Sequence, residues 1–412
     1  MLSNSFSSSF FKSAKKNHSQ ISQWFEKHEE KIDIPFLTSV TIKDSGFKTS
    51  VSDVQIFPSG LNYLCKTDLK NVSMLIRKYF ERHYPDVLKN KKILILSSAN
   101  NPNPFYYDHL DVLCQLMKKG GLRPQIGTLD ILSHPVSLKT PAGKKVQIHP
   151  VYFEKDRLKT REIDPSFIVA GDIFAATKLS SLPYIKQPMS PPLKAFSNHE
   201  IGSSYLATFN KLIEDFSRIV SEDPWLMATD FHLEHRVNID DKGGLEKIAL
   251  TVEALLGNLK NKYLRYQISS SPQLTIRSNS GTSGTGMVTI RSTADLLELH
   301  NYKKQKRSAA KNQMIDDILI KEEISSTAFK EIVGEIVIYL IGNEVAGGYI
   351  KTYCDKVAKG LVSSRKNLFR SVCFSGKIHR HPQKRSDKKL GAVYQNLSKI
   401  GGLAVGYTID QK

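Results

Sequence analysis

Residues 274–291, Leu-Thr-Ile-Arg-Ser-Asn-Ser-Gly-Thr-Ser-Gly-Thr-Gly-Met-Val-Thr-Ile-Arg, form a polar, glycine-rich segment between two strand-like runs. Closely spaced glycines permit positive φ and let backbone N–H groups approach an anion, which is the chemistry of phosphate binding. Walker loops and dinucleotide fingerprints both open a helix, whereas here a strand follows. The segment therefore predicts a hairpin tip that folds over nucleotide phosphates. A hairpin turn without a ligand remains the alternative.

Length and composition indicate a soluble globular protein of two or three domains. The chain has 412 residues, of which 40% are hydrophobic and 24% are charged. No apolar run approaches the roughly 18 residues of a membrane span, so no membrane partner is expected. The net charge of +19 favours anionic partners such as nucleotides. Four cysteines without a C-x-x-C pair indicate a reducing compartment, taken to be the cytoplasm, and argue against structural zinc.

The first half of the chain alternates strand and helix patterns. Residues 1–18 are basic and predict a loose tail, with a transit peptide as the alternative. Apolar spacing then predicts helices and strands that together make a parallel or mixed sheet. The predicted elements are a helix over 68–82, a strand over 93–96, a helix ending at 120–121, strands over 125–128 and 167–170, and a hairpin turn at 141–143.

Polar residues follow two of these strands. Ligands of such sheets bind beyond the carboxyl ends of the strands. Asn100 and Asn103 follow the first strand and Asp172 follows the last, so all three are candidate substrate-binding residues. Plain turns are the alternative interpretation of the asparagines.

The second half adds helices over 206–220 and 245–263 and a basic helix over 293–313. The basic helix is interpreted as a solvated face, and nucleic-acid binding is not expected because no known module is present. His232, Glu234 and His235 lack the H-E-x-x-H spacing and are interpreted as a surface cluster rather than a metal site.

A strand over 318–324 precedes a hairpin of strands over 332–341 and 345–353. Glu335 shares one strand face with Val337, Tyr339 and Ile341. A carboxylate on an apolar face needs a partner, which could be a metal ion or a cation, unless Glu335 lies at an exposed strand start. The final basic run, 377–389, predicts a mobile loop.

In its order of motifs the chain resembles the proteobacterial type of glutamate-cysteine ligase over roughly residues 36–375, and its second half looks like an ATP-grasp ligase. The matching stretches are Ser45-Gly46-Phe47-Lys48, Phe57-Pro58-Ser59-Gly60-Leu61-Asn62, Asn103-Pro104-Phe105-Tyr106, Gln187-Pro188, Asp223-Pro224-Trp225-Leu226, the glycine loop 281–286, and Gly347-Gly348-Tyr349. No single stretch is specific, but their shared order is.

The resemblance implies that ATP and Mg²⁺ activate a glutamate carboxylate as an acyl phosphate, which the cysteine amine then attacks. It places Arg277 at the ATP phosphates as the catalytic residue and Asn62 among the substrate-binding residues. Further expected ATP-binding residues are Asn279, Gly281, Thr282, Gly284, Gly286, Lys321, Glu322 and Glu323. Glu335 and Asn367 are the expected magnesium ligands.

The chain departs from the family pattern at charged positions. Arg277 and Asn279 stand where the family carries Lys and Asp, and Ser98 and Pro102 stand where Glu and Arg are expected. The run 196–202 lacks the family's basic residues. A ligase with changed substrates and a non-catalytic nucleotide-binding homologue are therefore the alternatives to glutamate-cysteine ligation.

The predicted fold class is α/β, with an N-terminal mixed or parallel sheet domain followed by an ATP-grasp-like α+β nucleotide-binding half. The predicted organisation is a basic tail and helix (1–35), an α/β substrate-side domain (36–190), a helical linking region (191–265), a nucleotide-binding region (266–376), and a basic loop with a C-terminal segment (377–412).

Overall fold

The computed structural model describes residues 2–198, 202–238, 241–279, 287–297, 315–326, 334–358, 361–374 and 386–411. The labelled helices are α1 (Leu2–Lys16), α2 (His18–Glu29), α3 (Lys66–His83), α4 (Val87–Asn90), α5 (Tyr106–Lys119), α6 (Ile173–Ser180), α7 (Ser203–Val220), α8 (Lys242–Arg265) and α9 (Ser386–Asp410). The strands are β1 (Leu37–Asp44), β2 (Thr49–Gln55), β3 (Lys92–Leu96), β4 (Arg123–Thr128), β5 (Val136–Lys139), β6 (Lys145–Pro150), β7 (Tyr152–Glu154), β8 (Arg157–Lys159), β9 (Phe167–Ala170), β10 (Met189–Ser190), β11 (Phe231–Asn238), β12 (Gln273–Ser278), β13 (Val288–Ile290), β14 (Ile315–Glu323), β15 (Gly334–Ile341), β16 (Glu344–Ala358) and β17 (Leu361–Val372).

The N-terminal sheet has the strand order β10-β9-β3-β4-β6-β5 and is parallel except at β5. This confirms the predicted mixed or parallel sheet, and the predicted turn at 141–143 joins β5 to β6. Helix α3 covers 66–83, close to the predicted helix, because Val72, Ile76 and Phe80 recur at helical spacing and are fully buried.

The core sheet has the antiparallel order β17-β16-β15-β1-β2. Strand β1 pairs with β15 from Leu37 opposite Ile341 to Ile42 opposite Ile336, so the start of the chain and its last third share one sheet. The predicted hairpin is confirmed as β15 and β16. The predicted domain boundaries stay predictions, but strand pairing links the segments 36–190 and 266–376.

The loop sheet has the antiparallel order β11-β14-β12-β13. Strands β12 and β13 pair from Leu274 opposite Ile290 to Ile276 opposite Val288, which confirms the strands predicted on both sides of the glycine loop. The loop itself lies outside the described residues. Helix α8 packs on this sheet, burying Ile248, Val252 and Leu259.

The predicted loop over 377–389 is wrong for residues 386–389, and the sequence predicts no element over 390–410. These residues form α9, whose Val393, Leu397 and Leu403 are fully buried. Glycines disfavour helix formation and weaken this sequence pattern. A Cβ at Gly402 would lie 2.8 Å from atoms of Leu340 and Asn343, so glycine is what allows α9 to approach the core sheet.

The predicted loose N-terminal tail is also wrong, because residues 2–16 form α1. Phe6 and Phe10 are buried one helical turn apart, and α1 contacts α7 and α9. Burial of these two rings stabilises a segment whose serines and lysines would otherwise favour solvent. The predicted basic helix over 293–313 is described only to residue 297, and most of the predicted 377–389 loop lies outside the described residues.

Cys65 and Cys373 form a disulfide that links the start of α3 to the end of β17, a pairing that the sequence spacing did not predict. Cys114 is a free cysteine. Across the described parts of the chain, no helix combines the length and the apolar character needed to cross a membrane.

Candidate active site

Strand β14 carries alternating charged side chains at its end. Lys321 and Glu323 project from one face and contact the core sheet, whereas Glu322 projects from the other, as the period of two requires. The face of Lys321 and Glu323 also carries Thr275 and Arg277 of β12, which pair with Lys321 and Leu319 respectively. Charged side chains therefore meet where the loop sheet contacts the core sheet, a region called the cleft below.

Lys321 is buried in this cleft. Its Nζ donates a hydrogen bond to the carbonyl oxygen of Ser52 at 2.8 Å. Burial lowers the pKa of Lys321 to about 8; Asp53 opposes this shift, and the cations Lys43 and Arg277 add to it. An anion bound near Lys321 would therefore stabilise the charged form of its side chain.

Lys43 of β1 connects the two sheets. Its Nζ lies 2.5 Å from Glu323 Oε1 and 3.6 Å from Glu335 Oε1. The hydroxyl of Thr275 donates to Glu323 Oε2 at 2.7 Å. Burial alone would lower the pKa of Lys43, but Glu323 and Glu335 together outweigh burial and raise it. The ammonium therefore stays charged.

Glu335 has the partner that its apolar strand face demands. Besides Lys43, its Oε2 lies 4.0 Å from Nζ of Lys351, the residue opposite it on β16. The side chain is 18% exposed, so Glu335 does not lie at a solvated strand start. The sequence predicts either a metal ion or a cation as the partner of Glu335. The structure shows cationic partners, Lys43 and Lys351.

Glu323 and Glu335 converge on one cation, and this donor set fits magnesium. Mg²⁺ is usually held by one or two carboxylates together with waters and substrate phosphates. Within the described ranges, no three His, Cys, Asp or Glu residues come together as a metal site. The two carboxylates would supply only part of the ligand set of a magnesium ion. The side chain of Asn367, the second predicted ligand, lies outside the described residues.

Arg277 lies close enough to Lys321 to lower its pKa. Asn279 has a structural contact: its Oδ1 accepts a hydrogen bond from the N–H of Ser203 at 2.9 Å, at the first residue of α7. A Cβ at the preceding Gly202 would lie 2.4 Å from the same oxygen. The side chain of Asn279 therefore caps α7. Gly281, Thr282, Gly284 and Gly286 lie outside the described residues.

Glu322 forms a buried ion pair on the opposite face of β14. Its Oε2 lies 2.6 Å from Nζ of Lys48, and the two side chains are 1% and 0% exposed. The Lys48 ammonium also lies 4.3 Å from the ring centre of Trp225. Burial lowers the pKa of Lys48 and raises that of Glu322, while each opposes the shift of the other. This pair connects the turn between β1 and β2 to the loop sheet.

At the carboxyl edge of the N-terminal sheet, Asp172 is hydrogen-bonded to neighbouring side-chain and backbone groups. Asp172 Oδ2 accepts hydrogen bonds from the Ser97 hydroxyl at 3.1 Å and the Ser98 N–H at 3.0 Å, while Oδ1 accepts from the Ala175 N–H at 2.7 Å and caps α6. Asn100 and Asn103 are exposed, and Asn103 Oδ1 accepts the Phe105 N–H, as in an ordinary turn. The structure brings Asp172 and Asn100 to the same edge.

Asn62 lies on the Phe57–Asn62 segment beside the core sheet. His109 Nδ1 accepts the N–H of the preceding Leu61 at 3.3 Å, and the neighbouring Tyr63 stacks on Phe369 with ring centres 4.2 Å apart. Asn62 Oδ1 is buried and has no hydrogen-bond partner in the described structure. Of the predicted substrate residues, Asn62 is the one with a buried side-chain oxygen that lacks a partner in the described structure.

The predicted surface cluster on β11 is exposed at His232 and His235, whereas Glu234 is buried and lies 2.8 Å from Lys247. The sequence does not predict Lys43 as a residue of the cleft. The local sequence shows only that Lys43 lies on the strand face opposite to Val40 and Ile42. The same alternation is typical of a strand with one solvent-exposed face, so it does not indicate a functional residue. Lys48 stood in a matched motif, but without an expected role.

Comparison with known proteins gives a family match over nearly the whole chain. The family model described as GshA, glutamate-cysteine ligase, matches residues 12–409. No curated protein sequence matches the chain. A crystal structure from Methylobacillus flagellatus KT, of a protein provisionally named a gamma-glutamylcysteine synthetase, has a TM-score of 0.83 and 22% identity, covering 97% of this chain and 95% of that one.

This structural likeness and the strand pairing confirm the predicted α/β fold, in which a mixed N-terminal sheet is followed by an α+β half. Two other solved structures overlap far less. D-alanyl-alanine synthetase A from Vibrio cholerae has a TM-score of 0.34 and 9% identity over 74% of this chain and 79% of its own. A glutathione synthetase-like effector from Globodera pallida has a TM-score of 0.33 and 10% identity over 89% and 84%.

Proposed function

The chain belongs to the glutamate-cysteine ligase family, as its motif order indicated, and on that premise we propose that it uses ATP to join glutamate to cysteine. The glutamate side-chain carboxylate is activated as an acyl phosphate, and the cysteine amine then displaces phosphate to give gamma-glutamylcysteine, the first step of glutathione synthesis. Glutamate, cysteine and ATP are the proposed partners, and the cytoplasm is the expected location.

The observation that carries this proposal is the cleft between the loop sheet and the core sheet. Two carboxylates, Glu323 and Glu335, meet the cations Lys43 and Lys321 there, with Arg277 beside them. Phosphoryl transfer needs positioning and charge neutralisation more than covalent chemistry from the protein. Buried cations in a water-poor cleft supply that neutralisation better than exposed ones, because the surrounding dielectric is low.

Residue roles follow from the faces of the strands. We assign Lys321 and Arg277 to the ATP phosphates and Glu323 to the ribose side of the nucleotide. Glu322 is assigned a structural role, because its side chain forms an ion pair with Lys48 on the opposite face of β14. The glycine loop 281–286 covers the phosphates, and the cap made by Asn279 fixes the start of that loop against α7.

Glu335, with Asn367, would hold magnesium. Magnesium, when bound, neutralises charge on the phosphates. The chain's own contribution is to hold the partly buried Glu335 side chain beside two lysines, in a position where its carboxylate could accept a cation.

Asn62 is the proposed contact to an amino-acid substrate, because its buried Oδ1 lacks a partner in the described structure. An ammonium or amide group would satisfy it. For Asn100, Asn103 and Asp172 we retain the proposal that they lie at a substrate-binding edge. Asp172 is assigned a structural role there, since its oxygens already accept four hydrogen bonds.

The test is phosphate release from ATP and magnesium by the purified protein, with glutamate and cysteine supplied singly and together and the product identified by mass. Release only with both, yielding the dipeptide, is the expected result. Turnover with another acid and amine would move the assignment to a ligase with changed substrates. A folded protein that binds ATP without any turnover would be a non-catalytic homologue.

Two variants test the site itself. Arg277→Ala should weaken ATP binding, and Glu335→Ala should abolish magnesium-dependent turnover. Arg77→Ala, which removes an exposed arginine paired with Glu81 on α3, serves as the matched control. Unchanged ATP affinity in Arg277→Ala would remove its phosphate role, and full turnover in Glu335→Ala would remove the metal assignment.

A further inference from the structure

A cavity opens between β4 and β6 of the N-terminal sheet. These parallel strands pair from Gly127 opposite His149 to Thr128 opposite Pro150. The first residues of both strands, all of them described in the structure, do not pair with each other, and Pro124 has no N–H group to donate. The strands therefore separate, which leaves a cavity of about 480 Å³ beside the last two turns of α5. Small-molecule sites have volumes of roughly 300–1,000 Å³.

Three cations from three different elements line this cavity. Lys118 belongs to the last turn of α5, Arg123 begins β4 and Lys145 begins β6, and all three residues are exposed. Within the described parts of the chain, none of the three forms an ion pair or a side-chain hydrogen bond. Lys145 also lies opposite Lys139 of β5, and like charges in that arrangement repel each other. An anion in the cavity would compensate these charges.

The carboxylates near the cavity are already engaged. Asp111 lines the cavity, but its Oδ2 lies 2.9 Å from the ammonium of Lys144. Glu162 contacts two lining residues: its Oε2 accepts a hydrogen bond from Gln125 Nε2 at 2.5 Å, and its Oε1 lies 3.5 Å from Nδ1 of the buried His149. These contacts reduce the repulsion that the two carboxylates would exert on an incoming anion. The cavity lining keeps an excess of positive charge.

Apolar side chains supply another part of the lining. Leu122, Ile126 and Val146 line the cavity and are 3–5% exposed. Cys114 lines it as well, and burial raises the pKa of its thiol to about 12. The thiol therefore stays protonated and behaves as a small apolar group rather than as a nucleophile. An apolar ligand group placed against these side chains would leave water, which favours binding in proportion to the area buried.

We propose that this cavity is a binding site for a small organic anion, whose carboxylate or phosphate group is held by the three cations and whose apolar body packs on the buried side chains. The guanidinium of Arg123 can donate two parallel hydrogen bonds to such a group, while the two lysines act as point charges. The site is separate from the cleft and lies at the amino ends of β4 and β6, away from the carboxyl edge that carries Asp172. It does not depend on the proposed function.

The experiment measures binding of phenyl phosphate, benzoate and benzyl alcohol to the purified protein by saturation-transfer NMR titration. The three probes share an aromatic ring, so differences in affinity report the charged group. At least one anion should bind about tenfold more tightly than the neutral alcohol, and its affinity should fall as NaCl is added. The preference between the two anions identifies the group that is recognised. Anions that bind no more tightly than the alcohol would overturn the proposal.

Three variants locate the bound anion. Lys118→Met, Arg123→Met and Lys145→Met each remove one lining cation and should each weaken anion binding about fivefold, without changing the affinity for benzyl alcohol. Their melting temperatures should stay at the wild-type value, because these exposed side chains have no ion pair to lose. Lys119→Met is the matched control, since Lys119 is exposed in the same helical turn as Lys118 but lies outside the cavity lining. Weakening in fewer than two of the three variants would refute the site.

ADP separates this inference from the proposed function. Because ADP is proposed to bind at the cleft, saturating ADP should leave the affinity for the anion unchanged. Displacement of the anion by ADP, with wild-type affinity in the cavity variants, would assign the anion to the cleft and overturn the inference. A protein that neither binds ADP nor ligates would refute the proposed function, and the three variants would still decide whether the cavity binds the anion.

Discussion

Replacing Lys48 by methionine should be among the most destabilising single changes in the chain. The Lys48 and Glu322 side chains are 0% and 1% exposed and lie 2.6 Å apart. Methionine leaves the Glu322 carboxylate buried with the Asp230 N–H at 3.4 Å as its remaining donor, and Oε1 already lacks a partner in the described structure. Breaking one side of such a pair costs about 3–5 kcal/mol.

The cation–π contact contributes to the same loss. Lys48 Nζ lies 4.3 Å from the ring centre of Trp225, and a desolvated contact of this kind is worth about 2 kcal/mol. The two effects overlap, so we expect a total of about 4 kcal/mol. With about 2.1 cal/mol/K of unfolding entropy per residue, this lowers the melting temperature by about 4–5 °C if the whole chain unfolds together.

The assay is urea and thermal unfolding of Lys48→Met, Glu322→Leu and the double variant. Because the double variant leaves no uncompensated charge, it should recover most of the loss. Lys89→Met is the control: it breaks a pair with Asp86 of similar length, 2.8 Å, whose side chains are 82% and 87% exposed, and it should not change the melting temperature. Single variants within about 1 kcal/mol of wild type would refute the reasoning.

Three further predictions concern pH, the disulfide and a helix cap. Burial lowers the pKa of His109 to about 3, so its contribution to stability is complete above pH 6.5. Stability should then fall by about 1.4 kcal/mol per pH unit below 6.5, and urea unfolding of His109→Gln should show a shallower fall. The disulfide between Cys65 and Cys373 closes a loop with a sequence separation of 308, so its reduction should lower the unfolding free energy by about 2–5 kcal/mol; an unchanged melting temperature in dithiothreitol would contradict this. Asn279→Ala removes the cap at Ser203 and should cost about 1 kcal/mol, whereas Asn279→Asp should keep it; calorimetry of ADP binding tells whether the residue also contacts nucleotide.

Local patterns were enough to predict much of the chain. Periodicity gave α3, α5, α7, α8 and the strands on both sides of the glycine loop, because each buries a regular apolar face. Motif order gave the family and fold. The same reasoning failed at α9, where glycines needed for close approach hide a helical pattern, and at α1, whose Phe6 and Phe10 are buried only through contacts with distant helices.

The cleft depended on tertiary structure for a physical reason. Lys43 and Glu323 are 280 positions apart in the sequence, and Lys48 and Glu322 are 274 positions apart. No local sequence pattern indicates which charged residues meet across two sheets. The sequence determined that residues 321–323 carry charge and predicted all three as ATP-binding residues, whereas the structure places the Glu322 side chain on the opposite face of β14, paired with Lys48. Only the packing of the loop sheet on the core sheet decided that one face of β14 meets Lys43 and the other forms a buried ion pair with Lys48.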